Sequence, residues 1–213
     1  MRLRNVPEAP AIIEASDFCI KNAEEYKGKW KDYFGQKGPL YIEVGMGKGQ
    51  FILSLAEQNP NINYIGIERY ESVLYKAVRI LDEKKLPNLR FICIDAEHIE
   101  DYFEEGEVDR IYLNFSDPWP KDRHAKRRLT SPQFLDRWAK VVKEGGTLEF
   151  KTDNRGLFDY SVETVKNHPV WALGAVTYDL HNDNSMNAGN IMTEYEAKFS
   201  AMGNPINKLI ASR

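Results

Sequence analysis

Cysteine is scarce: the chain has two, Cys19 and Cys93, in 213 residues. Neither falls at ligand spacing from the other or from the four histidines, His98, His124, His168 and His181. A disulfide framework and a zinc pattern are therefore both missing, and no metal is expected. Long apolar runs are missing too. No window approaches the ~20 residues of a membrane span, so no membrane partner is expected. The first residues carry Arg2 and Arg4, but Pro7, Glu8, Pro10 and Glu14 break up the stretch after them. That pattern does not read as a secretory leader, and a cytoplasmic protein with reduced thiols is the expectation. Internal repeats and low-complexity tracts are absent as well.

The chain also lacks an overall positive charge. Its formal net charge is -3, with 42% hydrophobic and 29% charged residues, an ordinary globular composition. This length can bury one ample core. A single domain over residues 1–213 is expected, with residues 1–37 as an N-terminal arm or helical extension.

Apolar periodicity alternates between strand and helix. "LYIEV" (40–44) reads as a strand, and Phe51, Ile52, Leu55 and Ala56 recur at helical spacing up to Pro60. "NYIGIE" (63–68) reads as a second strand, and Val73, Leu74, Ala77, Val78 and Leu81 mark one face of a second helix. "RFICID" (90–95) and "VDRIYLNF" (108–115) come next as strands, with a short acidic helix over 98–103. Ser131-Pro132 is a helix cap followed by a first-turn proline. Gly145-Gly146 should stop that helix before a strand over 147–152, and another helix comes after it. The tail reads as two strands, 171–180 and 193–203, flanking an Asn-rich loop, and they are expected to pair antiparallel at the sheet edge. The fold class expected is α/β: a doubly wound, mostly parallel, Rossmann-like sheet with an antiparallel edge pair at the C-terminus.

Gly45, Gly47 and Gly49 lie between the first strand and the first helix, where the backbone turns and a ligand approaches. Their G-M-G-K-G spacing is not the dinucleotide form, and a P-loop is excluded because Gly49 follows Lys48 where Ser or Thr is required. Three acids sharpen the reading: Glu43 before the loop, Glu68 at the end of the second strand and Asp95 at the end of the third. Ligands bind outside the carboxyl ends of such strands. Glu68 is placed to accept both ribose hydroxyls, and Asp95 or the backbone at Asp95-Ala96 to hold an adenine edge. Glu43 disfavours a pyrophosphate and favours a cationic group. Together these favour S-adenosyl-L-methionine over NAD, against the plainer alternative of a tight turn with solvated strand ends.

The fourth strand leads into Ser116-Asp117-Pro118-Trp119. Asp117 is expected near the methyl donor, where a carboxylate accepts hydrogen bonds from the ring N–H and exocyclic amine of guanine, while Trp119 stacks on a base. Residues 121–128 then invert the local charge, with five Lys or Arg and one His against one Asp. Lys121, Arg123, His124, Lys126, Arg127 and Arg128 suit phosphate contacts, which position a nucleic acid without reading its sequence. A solvated surface run is the plainer alternative. Asp153 is expected beside the same crevice, unless it only caps the next helix. Thr193, Glu194, Tyr195 and Glu196 open the expected last strand, where strand alternation separates Thr193 from Glu196.

The motifs "EVGMGKG", "GIE", "DPWPKDRHAKRR", "KTDN" and "TEYE" occur in this order and together resemble the bacterial tRNA (guanine-N7)-methyltransferases, a class I S-adenosylmethionine-dependent family. The resemblance covers roughly residues 38–200, and its Asp-Pro-Trp block with the basic run is far more specific than its glycine loop. It implies cofactor contacts at Glu43, Glu68, Asp95 and Asp117, with Asp117 also the catalytic position. It implies tRNA-substrate contacts at Lys121, Asp153 and Thr193 to Glu196, and RNA contacts over Arg123 to Arg128. Arg2 and Arg4 match a basic arm that members use variably. The implied target guanine lies in the variable loop of tRNA, and relatives include monomers and homodimers. Two other readings stay open: an adenine amino-methyltransferase, for which Asp117-Pro118-Trp119-Pro120 is a near miss, and a non-enzymatic RNA-binding protein on a degenerate fold.

Overall fold

The computed structural model describes residues 6–213, so Arg2 and Arg4 lie outside the described residues. The chain forms two compact units, 1–104 and 105–213.

The N-terminal unit begins with α1 (Ala9–Ala15) and, after a 3-10 turn, α2 (Trp30–Phe34). Trp30 is fully buried, donates its indole N–H to the Tyr102 carbonyl at 2.8 Å, and stacks on Phe103. Next come β1 (Leu40–Val44), α3 (Gln50–Gln58), β2 (Asn63–Ile67), α4 (Glu71–Lys84), β3 (Leu89–Ile92) and α5 (Ile99–Tyr102). The three strands pair in parallel with β2 in the middle. All five residues of β2 are buried, as expected for a strand covered on both faces. Leu74, Ala77, Val78 and Leu81 of α4 recur at three- and four-residue intervals and are all buried. Each Leu or Val there contributes about 1.5–3 kcal/mol relative to exposure. On the same helix, Asp82 accepts a hydrogen bond from the Ser16 hydroxyl at 2.6 Å, beside the packed α1.

The C-terminal unit contains β4 (Val108–Asn114), α6 (Pro132–Val141), β5 (Val142–Thr152), α7 (Arg155–Lys166), β6 (Ala172–Thr177), α8 (Asn184–Asn187), α9 (Glu194–Ala201) and β7 (Asn207–Ser212). Strand β4 pairs parallel with β5, and β7 lies antiparallel between β5 and β6. Ser131 caps α6 by accepting from the Phe134 N–H, with Pro132 in the first turn, as expected.

The C-terminal unit departs from the sequence expectation in several places. Residues 193–203 are not a strand: Thr193 caps α9 in a reciprocal capping box with Glu196. Thr-x-x-Glu satisfies two of the helix's open N–H groups, and this local gain outweighs the strand propensity of its neighbours. The antiparallel pair is instead β6 with β7, and residues 207–212 are a strand that the sequence expectation lacks. The Asn-rich loop also holds a 3-10 turn and α8. Gly145-Gly146, expected to stop a helix, lie inside β5. Helix α6 runs directly into that strand, and the register with β4 shifts between Val108 and Arg110. At Gly146 a Cβ would meet the Asp109 carbonyl at 2.9 Å, so the glycine permits the close approach at this bulge.

Candidate functional site

In the N-terminal unit the glycine loop is held from beneath. The Gly45 and Met46 N–H groups donate to the Ile67 carbonyl at 2.9 and 3.1 Å, and Gly47 donates to Glu68 Oε2 at 3.1 Å. Glu68 Oε1 accepts from the Tyr70 N–H at 3.0 Å. Burial pushes the Glu68 carboxyl above its ordinary range, and the backbone N–H groups of Tyr70, Gly47 and Arg69 oppose that push. Glu43 is buried at the end of β1, 2% exposed.

Gly49 has φ +77°, and a Cβ there would sit 2.8 Å from the Ala77 Cβ, so α3 approaches α4 only through glycine. At Gly45 a Cβ would meet nothing within 4 Å. The loop therefore leaves its outer side open to a ligand. Asp95 is half-buried, caps the turn at Ala96–His98 through the Glu97 N–H, and faces Arg69 at 3.4 Å. Ala96 is buried behind it. A cavity of about 390 Å³ is lined by Arg69, Tyr70, Glu71, Ser72 and Cys93 with residues from the start of the chain. Sequence reasoning does not find it, and no motif marks it.

In the C-terminal unit, β4 ends at Asn114 and Phe115 turns the chain with φ +50°. Asp117 comes two residues later, exposed, and among the described residues no hydrogen bond or ion pair engages its carboxylate. The loop is braced by Arg128, whose Nε donates to the Pro118 carbonyl and Nη2 to the Trp119 carbonyl, both at 3.1 Å. Its guanidinium also stacks on Tyr160 at 4.3 Å. The basic run forms a 3-10 turn, Asp122–Arg127, with Lys121, Arg123, Lys126 and Arg127 exposed. His124 and Arg127 both lie against the Trp119 ring. Arg128 thus shapes the loop, while the exposed four present charge outward.

Asp153 is half-buried just beyond β5, and the cap of α7 falls to Asn154, which accepts from the Leu157 N–H at 2.8 Å. Glu194 and Tyr195 are exposed on α9. Glu196 is fully buried: Lys151 Nζ donates to its Oε2 at 2.6 Å, and its Oε1 lies 2.7 Å from Asn190 and 2.9 Å from His181. Burial alone would raise this carboxyl, but the Lys151 ammonium and these hydrogen bonds outweigh it and hold it below its ordinary range. Thr193 and Glu196, placed on opposite faces by the strand reading, are brought together by the capping box.

Among the described residues, no group of three or more His, Cys, Asp or Glu is placed to hold a metal ion, and no helix is long and apolar enough to cross a membrane. The fold is shared with solved methyltransferases. An antibiotic-related methyltransferase aligns with TM-score 0.64 over 91% of this chain and 95% of its own, at 18% identity. The 16S rRNA methyltransferase KamB aligns with TM-score 0.64 over 87% and 92%, also at 18% identity. The mostly parallel strands with helices between them and these structural neighbours define a class I methyltransferase fold, which implies a methyl donor of the S-adenosylmethionine type. A family model described as "Putative methyltransferase" matches residues 37–209. The tRNA (guanine-N(7)-)-methyltransferase of Lachnoclostridium phytofermentans is 56% identical over 213 residues, covering 100% of this chain and 99% of its own. That of Bacillus subtilis is 52% identical over 207 residues, covering 97% and 96%. The chain belongs to the tRNA (guanine-N(7)-)-methyltransferase family.

Proposed function

We propose that the chain transfers the methyl group of S-adenosyl-L-methionine to N7 of a guanine in the variable loop of tRNA, in the cytoplasm, as one methyltransferase domain. The observation that carries this reading is the exposed Asp117 carboxylate on a braced loop, followed at once by an exposed cationic turn.

Glu68, fixed to the glycine loop, is the acceptor for the ribose hydroxyls. Asp95 and Ala96 border the adenine, Glu43 faces the cationic end, and Gly45, Gly47 and Gly49 let the backbone approach. The open space above Gly45 fits such a ligand. When bound, the cofactor supplies an electrophilic methyl on a sulfonium.

Guanine N7 already carries its lone pair and loses no proton, so no general base is required for attack. Rate enhancement then rests on alignment and on tolerance of the charge that develops on the ring. Asp117 accepts from the guanine ring N–H and amine, which fixes the ring's orientation and offsets that charge. Asp153, Glu194 and Tyr195 border the nucleotide. Lys121, Arg123, His124, Lys126 and Arg127 neutralise phosphates and set the register of the RNA.

The reading is tested by incubating unmodified tRNA with methyl-labelled S-adenosylmethionine. Label enters tRNA with the parent chain and not with Asp117→Ala. Equal labelling by both would remove Asp117 from its role, and no labelling by either would remove the function.

A further inference from the structure

Lys151 occupies an unusual place in the C-terminal unit. It lies near the end of β5 and is 3% exposed, a burial that lysine tolerates only when its charge is matched. Its ammonium reaches Glu196 Oε2 at 2.6 Å, the Ile191 carbonyl at 3.0 Å and Asn190 Oδ1 at 3.1 Å. Those acceptors span the segment leading into α9. The Lys151 carbonyl, on the main chain of the same residue, accepts the Phe115 N–H at 2.8 Å. Phe115 is the left-handed residue that starts the Asp117 loop.

The two segments that Lys151 holds also touch each other. The Phe115 ring stacks on Tyr195 at 6.3 Å and 20°, and Tyr195 stacks on Phe199 at 6.1 Å and 16°. Phe115 and Phe199 are in turn packed against the small core of Leu180, Met186 and Ile206, while Tyr195 remains 48% exposed. A left-handed phenylalanine persists only where its surroundings over-determine it. Here the over-determination comes from the Lys151 carbonyl and the Tyr195 stack.

We propose that Lys151 is a positioning residue for methyl transfer: its ammonium latches residues 190–196 through Glu196 while its carbonyl holds Phe115, and the Phe115–Tyr195 stack links the latched segment to the Asp117 loop. The proposal rests on the methyl-transfer reading above. It assigns Glu196 to holding the segment, not to touching the guanine, and it makes Tyr195 the contact through which the latch reaches Asp117.

The test is single-turnover methylation of tRNA, normalised to the fraction of each protein that binds cofactor, for the parent, K151M/E196M, Y195A and the triple variant. Replacing both members of the buried pair removes the latch without stranding a charge. The latch variant is expected to transfer methyl at least tenfold more slowly, with cofactor and tRNA affinities within about threefold of the parent, and Y195A to slow transfer similarly. In the triple variant the losses do not multiply, because both changes cut the same link. A latch variant with parental rate, or losses that multiply, overturns the proposal. Should the latch variant fail to fold, Y195A and Y195F decide together: Y195F keeps the ring stack on Phe115 and is expected to keep the parental rate, so a parental rate in Y195A, or a loss in Y195F equal to that in Y195A, overturns the proposal. A parent that methylates no tRNA removes the underlying reading and the proposal with it. A parent that forms 7-methylguanosine beside an unimpaired latch variant removes the proposal alone.

Discussion

Gly47 donates its backbone N–H to Glu68 Oε2 over 3.1 Å, so the glycine loop and the acid at the end of β2 form one rigid unit. Burial raises the Glu68 carboxyl, and under the proposed role it is the carboxylate that accepts the ribose hydroxyls. Protonation of Glu68 would then compete with cofactor. Cofactor affinity should begin to fall, as pH is lowered, at a higher pH than an ordinary glutamate would give. Glu68→Gln should weaken binding by about 1.5–3 kcal/mol, ten- to hundredfold, and remove that pH dependence. Calorimetry over a pH series checks both, and an unchanged pH profile in the glutamine variant would contradict the assignment.

Two glycines of the loop should separate stability from binding. Gly49→Ala adds left-handed strain to a methyl 2.8 Å from Ala77, and should cost about 2–4 kcal/mol in unfolding free energy. Gly45→Ala carries strain alone, since its methyl meets no protein atom within 4 Å. It should cost about 1–2 kcal/mol of stability but lose cofactor affinity disproportionately. Denaturant titration and cofactor binding on the same two proteins test this, and equal behaviour would argue against an open ligand side at Gly45.

The buried Lys151–Glu196 pair makes an acid-stability prediction. The Glu196 carboxyl lies below its ordinary range in the folded chain, so its stabilisation is fully present above the unfolded-state pKa and is lost as pH falls through the lower folded value. Lys151→Ala should cost about 3–5 kcal/mol at neutral pH, because it strands a buried charge, whereas the paired Met replacement should be far milder. Unfolding curves at neutral and acid pH compare them. Equal costs would mean that the pair's charge is matched by other groups.

The exposed turn and the brace should behave differently. Replacing Lys126 and Arg127 with Gln should weaken tRNA binding and flatten its log–log salt slope by about 0.7–0.9 per lost phosphate contact. Arg128→Gln frees the Pro118 and Trp119 carbonyls from their donor, so it should lower turnover more than it lowers the salt slope. Filter binding across a salt series distinguishes the two, and an unchanged slope for the first variant would make the turn a solvated face.

Much of this is legible in the sequence because the signals are local. The Leu74–Leu81 spacing and the Ser131-Pro132 cap derive from short-range rules, and the structure places them accordingly. The third strand, expected over 90–95, stops at Ile92, and Asp95 caps the 3-10 turn after it instead of ending the strand. The tail misleads because 193–203 mixes aromatics and acids without a strong helical stripe, so strand propensity outweighs the Thr-x-x-Glu cap when only the sequence is read. The brace by Arg128 and the Lys151 junction are invisible for a different reason. Along a chain of letters, a basic run and a strand-end lysine look alike whether their charge faces solvent or a carbonyl; only tertiary contacts distinguish them.

The most direct test of the account is mass spectrometry of nucleosides from unmodified tRNA incubated with the chain and S-adenosylmethionine. New 7-methylguanosine is expected, lost with Asp117→Ala, with strand scission at the modified base mapping to the variable loop. Methyladenosine in its place, or no methylated nucleoside from a folded tRNA and a cofactor-binding protein, would contradict it.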